Sequence, residues 1–203
     1  MADAMLYIAR TGCPWRYLPD DGYFPPWAAV WQQFRRWRDA GVWAKAMTRL
    51  RRLVRVKEGR DPEPSMVMVD AQIVRGARLG PSFHESGGRG GRTKGAKRTI
   101  FVDYIGCPVA VSVASAKRHD VVRGREMLRA ELPHLPRLAA VVADRGYRHL
   151  DKLCAQLGLP LDIKAPPRGA KRFVPIGPLW KVEHAFSWLG RYRRLTRSFE
   201  GTA

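Results

Sequence analysis

The chain has 203 residues, 45% of them hydrophobic, so it is long enough to bury one substantial core and a smaller appendage. Its 37 lysine and arginine residues against 18 acidic ones give a formal net charge of +19. Such a charge attracts polyanions, which favours nucleic acid as the partner over a merely solubilising role. The apolar and aromatic content excludes a disordered basic tail.

Neither a membrane segment nor a disulfide framework is indicated. No apolar run reaches the roughly 18–20 residues of a membrane-spanning helix, and no signal peptide precedes the predicted fold. The three cysteines lie far apart without a CxxC pair, which argues against a zinc site and against disulfides. We therefore expect a soluble protein of the reducing cytoplasm with no membrane partner.

Residues 1–57 are predicted to form a small all-helical domain, in which apolar residues recur at helical spacing before and after Gly41. The aromatic stripe of the first helix is interpreted as core rather than as a base-stacking surface. The arginines on the other faces favour phosphate contact over a solvated face. The apolar stripe comprises Trp27, Trp31, Phe34, Trp37, Val42, Ala46, Leu50 and Leu53, and the arginines are Arg35, Arg36, Arg38, Arg49, Arg51, Arg52 and Arg55.

A Pro-rich linker, residues 58–65, separates this region from residues 66–203, where strand and helix patterns alternate. The predicted order is a strand over 67–69 that ends at Asp70, a hairpin of 99–104 and 108–114, a helix over 119–132, a strand over 138–143 that ends at Asp144, a helix over 147–157, a strand over 159–164 and one long helix over 179–197 that carries Glu183. This order predicts an α/β fold with a mixed sheet flanked by helices.

Two carboxylates stand where the chain is expected to leave the sheet. Asp70 and Asp144 each follow an apolar strand, and ligand sites in open α/β sheets form at the carboxyl ends of strands. One such residue alone favours a helix cap or an Asx turn, whereas two on strands that can be neighbours favour a metal site. Glu183, on the polar face of the last helix, would add a third oxygen ligand. This donor set suits Mg²⁺ or Mn²⁺.

Three blocks of the sequence resemble the catalytic blocks of bacterial DDE transposases, most nearly those of the insertion-sequence-five group. They occur in order, with 38 residues between Asp144 and Glu183, and the resemblance runs almost end to end. The blocks are Val69-Asp70-Ala71-Gln72, Val142-Ala143-Asp144-Arg145-Gly146-Tyr147 and the run from Val182 to Leu195. The runs from Arg10 to Pro19 and from Phe24 to Trp27 resemble the helical amino-terminal domain of the same group.

The resemblance implies an RNase H-like fold in which Asp70, Asp144 and Glu183 are catalytic and hold two divalent cations, Mg²⁺ or Mn²⁺. It implies hydrolysis at transposon ends followed by 3′-OH transfer into target DNA. It also implies a homodimer that holds two ends, a nucleoid-associated location and no small-molecule substrate. Leu179 stands where relatives carry a basic residue, and Lys181 is the candidate substitute. By this resemblance the chain starts late and stops early, as a truncated copy would.

Basic residues near the carboxylates are predicted to bind DNA. The Gly-rich segment from about residue 75 to 98 is interpreted as a flexible clamp on the DNA backbone rather than a merely solvated loop. Further basic residues follow Asp144 and Glu183, and two of these match basic positions of the family. The predicted DNA-binding set is Arg75, Arg78, Arg89, Arg92, Lys94, Lys97, Arg145, Arg148, Arg191 and Arg194.

Three other residues receive structural interpretations. Asp103 is taken as an edge-facing structural residue rather than an accessory carboxylate, Asp120 as a helix cap, and His184 as a packed or exposed side chain rather than a ligand. Two rival functions stay open. One is a catalytically inactive, truncated transposase remnant that only binds DNA, and the other is a related RNase H-like nuclease that acts on structured DNA or RNA hybrids.

Overall fold

The computed structural model describes residues 1–76, 84–86, 93–165 and 177–197. The helices are α1 (Ala2–Thr11), α2 (Trp27–Asp39), α3 (Val42–Lys57), α4 (Asp120–Glu131), α5 (Asp151–Gln156), α6 (Trp180–Gly190) and α7 (Arg193–Thr196). The strands are β1 (Met66–Arg75), β2 (His84–Ser86), β3 (Thr93–Asp103), β4 (Pro108–Ser115), β5 (Ala140–Asp144) and β6 (Leu161–Lys164). None of the helices in these ranges is long and apolar enough to cross a lipid bilayer.

The helical character predicted for residues 1–57 is confirmed. Gly12 ends α1 in a left-handed conformation, φ 73°, so that its N–H reaches the carbonyl of Ile8. Pro26 precedes the first turn of α2, and Gly41, φ 65°, separates α2 from α3. The three helices enclose a small apolar cluster of their own, made of Ala4, Met5, Ile8, Leu18 and Val30, with Phe34, Trp37 and Trp43 packed against it.

The buried face of α3 is the reverse of the predicted one. Leu50 and Leu53 are 56% and 60% exposed, whereas Arg51 and Arg55 are each 5% exposed. Arg55 Nη1 donates to Oδ2 of the fully buried Asp103 at 2.7 Å. Because a buried carboxylate is tolerated only with a close positive partner, Asp103 requires the arginine face of α3 to point inward. Arg51 and Arg55 are therefore structural rather than phosphate contacts, and Asp103 is structural but not at an edge.

The six strands form one mixed sheet in the order β2-β3-β1-β5-β6, with β4 also paired to β3. β1 pairs antiparallel with β3 and parallel with β5, and β5 pairs parallel with β6. β3 and β4 form the predicted hairpin. β2 lies within the segment predicted to be a clamp and pairs with the start of β3, so part of that segment is sheet rather than loop.

Helices cover both faces of the sheet, as predicted, because side chains alternate between faces along each strand. One face packs against α4 and the turn before α5 through Val67, Val69, Phe101, Val141, Ala143, Leu128, Tyr147 and Leu150. The other face packs against α6 through Met68, Ile100, Val102, Val142, Val182, Ala185 and Phe186.

The prediction of one long carboxyl-terminal helix over 179–197 is wrong. α6 ends at Gly190, a residue of low helix propensity, and Tyr192 is extended, with φ −98° and ψ 112°. The chain then packs α7 against α1, where a Cβ on Gly12 would lie 3.0 Å from Cβ of Arg193. The helix predicted over 147–157 is likewise divided, into a 3₁₀ turn, Arg145–Leu150, and α5.

The start of α4 also corrects two assignments. His119 is the N-cap, with Nδ1 accepting from the amide of Val121, so Asp120 is not the cap. Asp120 instead pairs with Lys97 Nζ at 2.6 Å, and Lys97 also donates to the carbonyl of Arg118 at 2.7 Å. Since Lys97 is only 9% exposed, it does not face solvent as the predicted DNA clamp requires.

Candidate active site between strands β1 and β5 and helix α6

Asp70 and Asp144 lie side by side on two neighbouring parallel strands, β1 and β5. Val69 of β1 lies opposite Ala143 of β5, so continuing the register by one residue brings the two aspartates opposite each other. Neighbouring strands are about 4.8 Å apart, and residues in register point to the same face. By alternation from Met68, this is the face that α6 covers.

The two aspartates differ in their position along the strand. Asp144 ends β5, as predicted, but Asp70 is in the middle of β1, which continues to Arg75. The prediction of a strand end at Asp70 is wrong because β3 pairs with β1 beyond that point, with Ile100 opposite Asp70 and Gly95 opposite Arg75. Asp70 is therefore fixed by a neighbour on each side.

Glu183 approaches the same face from α6. Val182 and Phe186 bury one side of the helix against the sheet, which leaves Glu183 exposed on another side. Glu183 and Asp70 line one cleft of about 660 Å³, which we call the acidic cleft. This cleft is also lined by Arg75 and Arg98, so its acidic centre has basic side chains beside it.

Negative charge is concentrated at Asp70. Burial is the main cause that raises the pKa of this carboxyl to about 6, and repulsion from Asp144, Asp120 and Glu183 acts in the same direction. The opposing effect is a hydrogen bond from the Ala71 amide to Asp70 Oδ1, at 2.7 Å. Burial and the neighbouring carboxylates therefore disfavour the ionised form of Asp70, and a cation bound there would favour it.

Asp144 has a second role as a cap. Its Oδ1 accepts a hydrogen bond from the amide of Gly146 at 2.8 Å and so starts the 3₁₀ turn Arg145–Leu150. A Cβ on residue 146 would lie 2.9 Å from that oxygen, so any larger residue there would displace the carboxylate of Asp144. The capping interpretation, weighed against the metal interpretation in the sequence, is thus realised at one oxygen of the carboxylate.

No preformed metal cage is present in the described ranges, since no three histidine, cysteine, aspartate or glutamate side chains there lie close enough to enclose an ion. The three cysteines are unpaired, as expected. Three observations relate Asp70, Asp144 and Glu183. Asp70 and Asp144 lie on the same face of the sheet, and Asp70 and Glu183 line the same cleft. The charges of Asp144 and Glu183 both raise the pKa of Asp70.

Arg98 is a site residue that the sequence analysis missed. It lies on β3 opposite Gln72, is 9% exposed and lines the acidic cleft. Its Nη2 donates to the carbonyl of Leu195 at 2.9 Å, and burial lowers the pKa of the guanidinium. The alternation of Arg98 with Ile100, which pairs with Asp70, indicates that Arg98 shares a face of the sheet with Asp70, whereas the interpretation of residues 75–98 as a clamp loop does not.

The other predicted DNA-binding residues are distributed around the cleft. Arg75 lines it, whereas Arg145 and Arg148 are exposed on the turn that follows Asp144. Because the last helix is divided, Arg191 and Arg194 do not share a helical face with Glu183. Arg191 lies over the ring of Trp188, and Arg194 lines a different cleft. Arg78, Arg89, Arg92 and the side chain of Lys94 lie outside the described residues.

The position before Glu183 contains no basic contact to the cleft. Leu179 is 8% exposed and belongs to the core under α6. Lys181 donates to the carbonyl of Tyr104 and lies 4.5 Å from the centre of the Tyr104 ring, so it is engaged on another side of α6. His184 accepts from Trp188 Nε1 at 2.9 Å, which agrees with a packing role.

Two protein-family models match the chain. The model described as a putative transposase of the IS4/5 family matches residues 1–47, and the model described as a transposase DDE domain matches residues 61–160. The second match includes Asp70 and Asp144 but ends before Glu183. No curated protein matches the chain.

Three solved structures are similar to this chain over part of its length. A cryo-electron microscopy structure of the simian T-cell lymphotropic virus intasome in complex with the PP2A regulatory subunit B56 gamma has a TM-score of 0.38 at 15% identity and covers 62% of this chain and 38% of that one. The cryo-electron microscopy structure of the piggyBac transposase synaptic complex with hairpin DNA has a TM-score of 0.34 at 19% identity, and the match covers 56% of this chain and 25% of that one. The Mos1 transposase paired-end complex with the left transposon end has a TM-score of 0.32 at 12% identity, and the match covers 79% of this chain and 57% of that one. This chain thus spans about a quarter to three fifths of those chains.

Proposed function

Because this chain belongs to the DDE transposases of the IS4/5 family and has their RNase H-like mixed sheet flanked by helices, we propose that it cuts and joins DNA. The reaction proposed is hydrolysis of a phosphodiester at each transposon end, followed by attack of the freed 3′-OH on target DNA. Asp70, Asp144 and Glu183 are the catalytic carboxylates. The observation that carries the proposal is the register of β1 and β5, which brings Asp70 and Asp144 onto the face covered by the helix of Glu183.

The residues fit a pair of divalent cations in their chemistry. The donors are carboxylate oxygens, which Mg²⁺ and Mn²⁺ prefer. The pKa of Asp70 is raised first by burial and then by repulsion from neighbouring carboxylates, and a bound cation would offset both effects. Asp70, Asp144 and Glu183 would hold these cations. When bound, such cations make the attacking oxygen more nucleophilic and stabilise the leaving oxygen.

The chain's own residues orient the carboxylates and the phosphate. The amide of Ala71 donates to one oxygen of Asp70, and the amide of Gly146 donates to one oxygen of Asp144. Arg98, held by the carbonyl of Leu195, presents a guanidinium beside the acidic cleft, where it is suited to a phosphate oxygen. Hydrolysis and strand transfer each exchange one phosphodiester oxygen for another, so one set of positioned groups serves both steps.

We propose a homodimer on the bacterial nucleoid, because two transposon ends have to be held together and the chain is strongly basic. An exposed apolar stripe on α3 supports a protein contact, since Leu50, Leu53 and Val54 are between 42% and 60% exposed. Light scattering of the purified protein with and without end DNA measures this. A dimer that Leu50→Glu dissociates supports the proposal, and a monomer on paired ends contradicts it.

Cleavage of labelled DNA that carries the element's own ends tests the catalytic proposal. Nicking is expected only with Mg²⁺ or Mn²⁺, and Asp144→Asn is expected to abolish it. The matched control is Asp162→Asn on the neighbouring strand β6, because Asp162 is half exposed and paired with Lys164. If Asp144→Asn cuts as fast as the control variant, the catalytic assignment fails.

A second candidate function, DNA binding without cleavage, is favoured by one observation. Leu179 is buried and Lys181 is engaged by Tyr104, so neither of these two residues supplies the basic contact before Glu183 that the resemblance to the family implies. Under this alternative, DNA affinity falls steeply with salt, and no cleavage follows the addition of metal. Restoring the charge with Leu179→Lys or Leu179→Arg and finding cleavage only then would assign the loss of activity to this position.

A further inference from the structure

A second cleft, like the acidic one, is lined in part by α7. Its volume is about 500 Å³, within the range of roughly 300–1,000 Å³ that is typical of ligand pockets. It is formed where the short 3₁₀ turn Trp15–Tyr17 and the start of α2 meet α7. Its lining residues are Pro14, Trp15, Arg16, Trp27, Trp31 and Arg194. We call it the tryptophan cleft.

Two of its tryptophans are held rigidly from behind. The rings of Trp15 and Trp31 are 5.1 Å apart, and Phe34 contacts both, at 5.3 Å and 6.0 Å. Phe34 in turn packs on the apolar cluster of the amino-terminal helices. These rings are therefore fixed before any ligand arrives, which lowers the entropic cost of binding a flat molecule.

The third tryptophan, Trp27, is partly exposed and has the guanidinium of Arg16 over its ring. Trp27 is 36% exposed and, one helical turn before Trp31, shares its side of α2. The guanidinium of Arg16 lies 5.2 Å from the centre of the Trp27 ring. Among the residues that the structure describes, none of those lining the cleft is acidic, whereas Arg16 and Arg194 both line it. Aromatic faces beside guanidinium groups match the chemistry of a nucleobase attached to an anionic backbone.

The two clefts are neighbours through α7. Arg194 lines the tryptophan cleft, and Leu195, Thr196 and Arg197 line the acidic cleft. Since α7 has four residues, it is about 6 Å long at a rise of roughly 1.5 Å per residue. A DNA strand with a phosphate in the acidic cleft therefore has nearby nucleotides within reach of the tryptophans.

We propose that the tryptophan cleft binds one unstacked DNA base, close to the phosphodiester that is cut. This inference rests on the proposed function, since it takes DNA as the ligand. The base stacks on the tryptophans, and the arginines meet its flanking phosphates. The cleft thereby stabilises DNA that is locally opened at the cleavage position, which offsets the cost of unstacking a base.

The test measures DNA affinity in EDTA, so that cleavage plays no part. The probes are two otherwise identical 20-base-pair duplexes, one with a single extrahelical thymidine and one with an abasic nucleotide at that position. Wild-type protein is expected to bind the thymidine probe more tightly. Trp27→Ala is expected to weaken binding of the thymidine probe by about 5- to 150-fold, the range for loss of one stacked base, and to leave the abasic probe nearly unchanged.

Tyr104→Ala is the matched control. Tyr104 is also an exposed aromatic residue, at 45%, and also lies under a cation, Lys181, but it is outside the cleft. It is expected to leave the preference for the thymidine probe intact. Arg16→Ala provides a second variant that removes no aromatic ring, and it is expected to reduce the same preference. Circular dichroism of each variant checks that α1–α3 remain folded.

The proposal is overturned if wild-type protein binds both probes equally, or if the preference survives in both Trp27→Ala and Arg16→Ala. Equal weakening of both probes by Trp27→Ala also overturns it, since that result assigns the cleft to the duplex backbone. These outcomes are independent of catalysis: loss of metal-dependent cleavage with an intact base preference contradicts the proposed function alone.

Discussion

Replacing Asp70 with asparagine is expected to stabilise the protein in the absence of metal. The folded-state pKa of Asp70, about 6, exceeds its ordinary value of 3.8, so the folded chain holds this proton more tightly than the unfolded chain. The free energy of unfolding therefore falls as the pH rises from about 4 to about 6, and stays low above that range. At about 1.4 kcal/mol per pKa unit the full difference is about 3 kcal/mol, and partial solvent screening lowers it to about 1–3 kcal/mol.

Urea denaturation in EDTA at pH 7.5 and at pH 4 measures this directly. Asp70→Asn is expected to gain about 1–3 kcal/mol over wild type at pH 7.5 and much less at pH 4, where the wild-type carboxyl is already neutral. Asp162→Asn, at an exposed position, is expected to change stability by less than about 0.5 kcal/mol. Saturating Mg²⁺ is expected to stabilise wild type but not Asp70→Asn. An Asp70→Asn variant less stable than wild type at pH 7.5 would refute the reasoning.

Further predictions concern the supports of the site. Asp103→Asn is expected to lower the free energy of unfolding by about 3–5 kcal/mol, measured by denaturant titration, because it removes the only carboxylate that the described residues place against the buried guanidinium of Arg55, whose other acceptors are neutral carbonyls. Gly146→Ala is expected to reduce metal-dependent cleavage at least tenfold in a plasmid-nicking assay, since its Cβ displaces Asp144 Oδ1. Lys181→Ala is expected to cut at the wild-type rate in the same assay, because its amino group serves Tyr104 rather than the cleft.

Each of these has a control or a contrary outcome. Asp39→Asn removes the exposed ion pair with Arg38 and is expected to leave the urea midpoint nearly unchanged. An equally small effect of Asp103→Asn would contradict the burial argument. For Gly146→Ala, undiminished cleavage shows that the orientation of Asp144 is not limiting. For Lys181→Ala, a tenfold loss of cleavage assigns this lysine a role at the phosphate.

Local patterns in the sequence predicted most strands of the sheet and the position of Asp144 along its strand. Short apolar runs predicted β5 and β6, and the turn at 105–107 predicted the β3–β4 hairpin. Asp144 was correctly assigned to a strand end. The continuation of β1 beyond Asp70 was not predictable from local pattern, because it depends on pairing with β3, a partner distant in sequence.

The orientation of α3 and the break after α6 were missed for the same kind of reason. Leu50 and Leu53 have the spacing of a core stripe, but the buried charge of Asp103 selects the opposite face, and that residue is about fifty positions away. The end of α6 follows from packing of α7 on Gly12. The aromatic stripe of α2 was only partly core, since Phe34 packs inward whereas Trp27 is exposed.

Anomalous diffraction from crystals grown with Mn²⁺ tests the central claim most directly. The account predicts Mn²⁺ peaks within coordination distance of carboxylate oxygens of Asp70, Asp144 and Glu183, and the loss of at least one peak in Asp144→Asn. Mn²⁺ bound elsewhere, or no Mn²⁺ within coordination distance of Asp70 and Asp144, would contradict it.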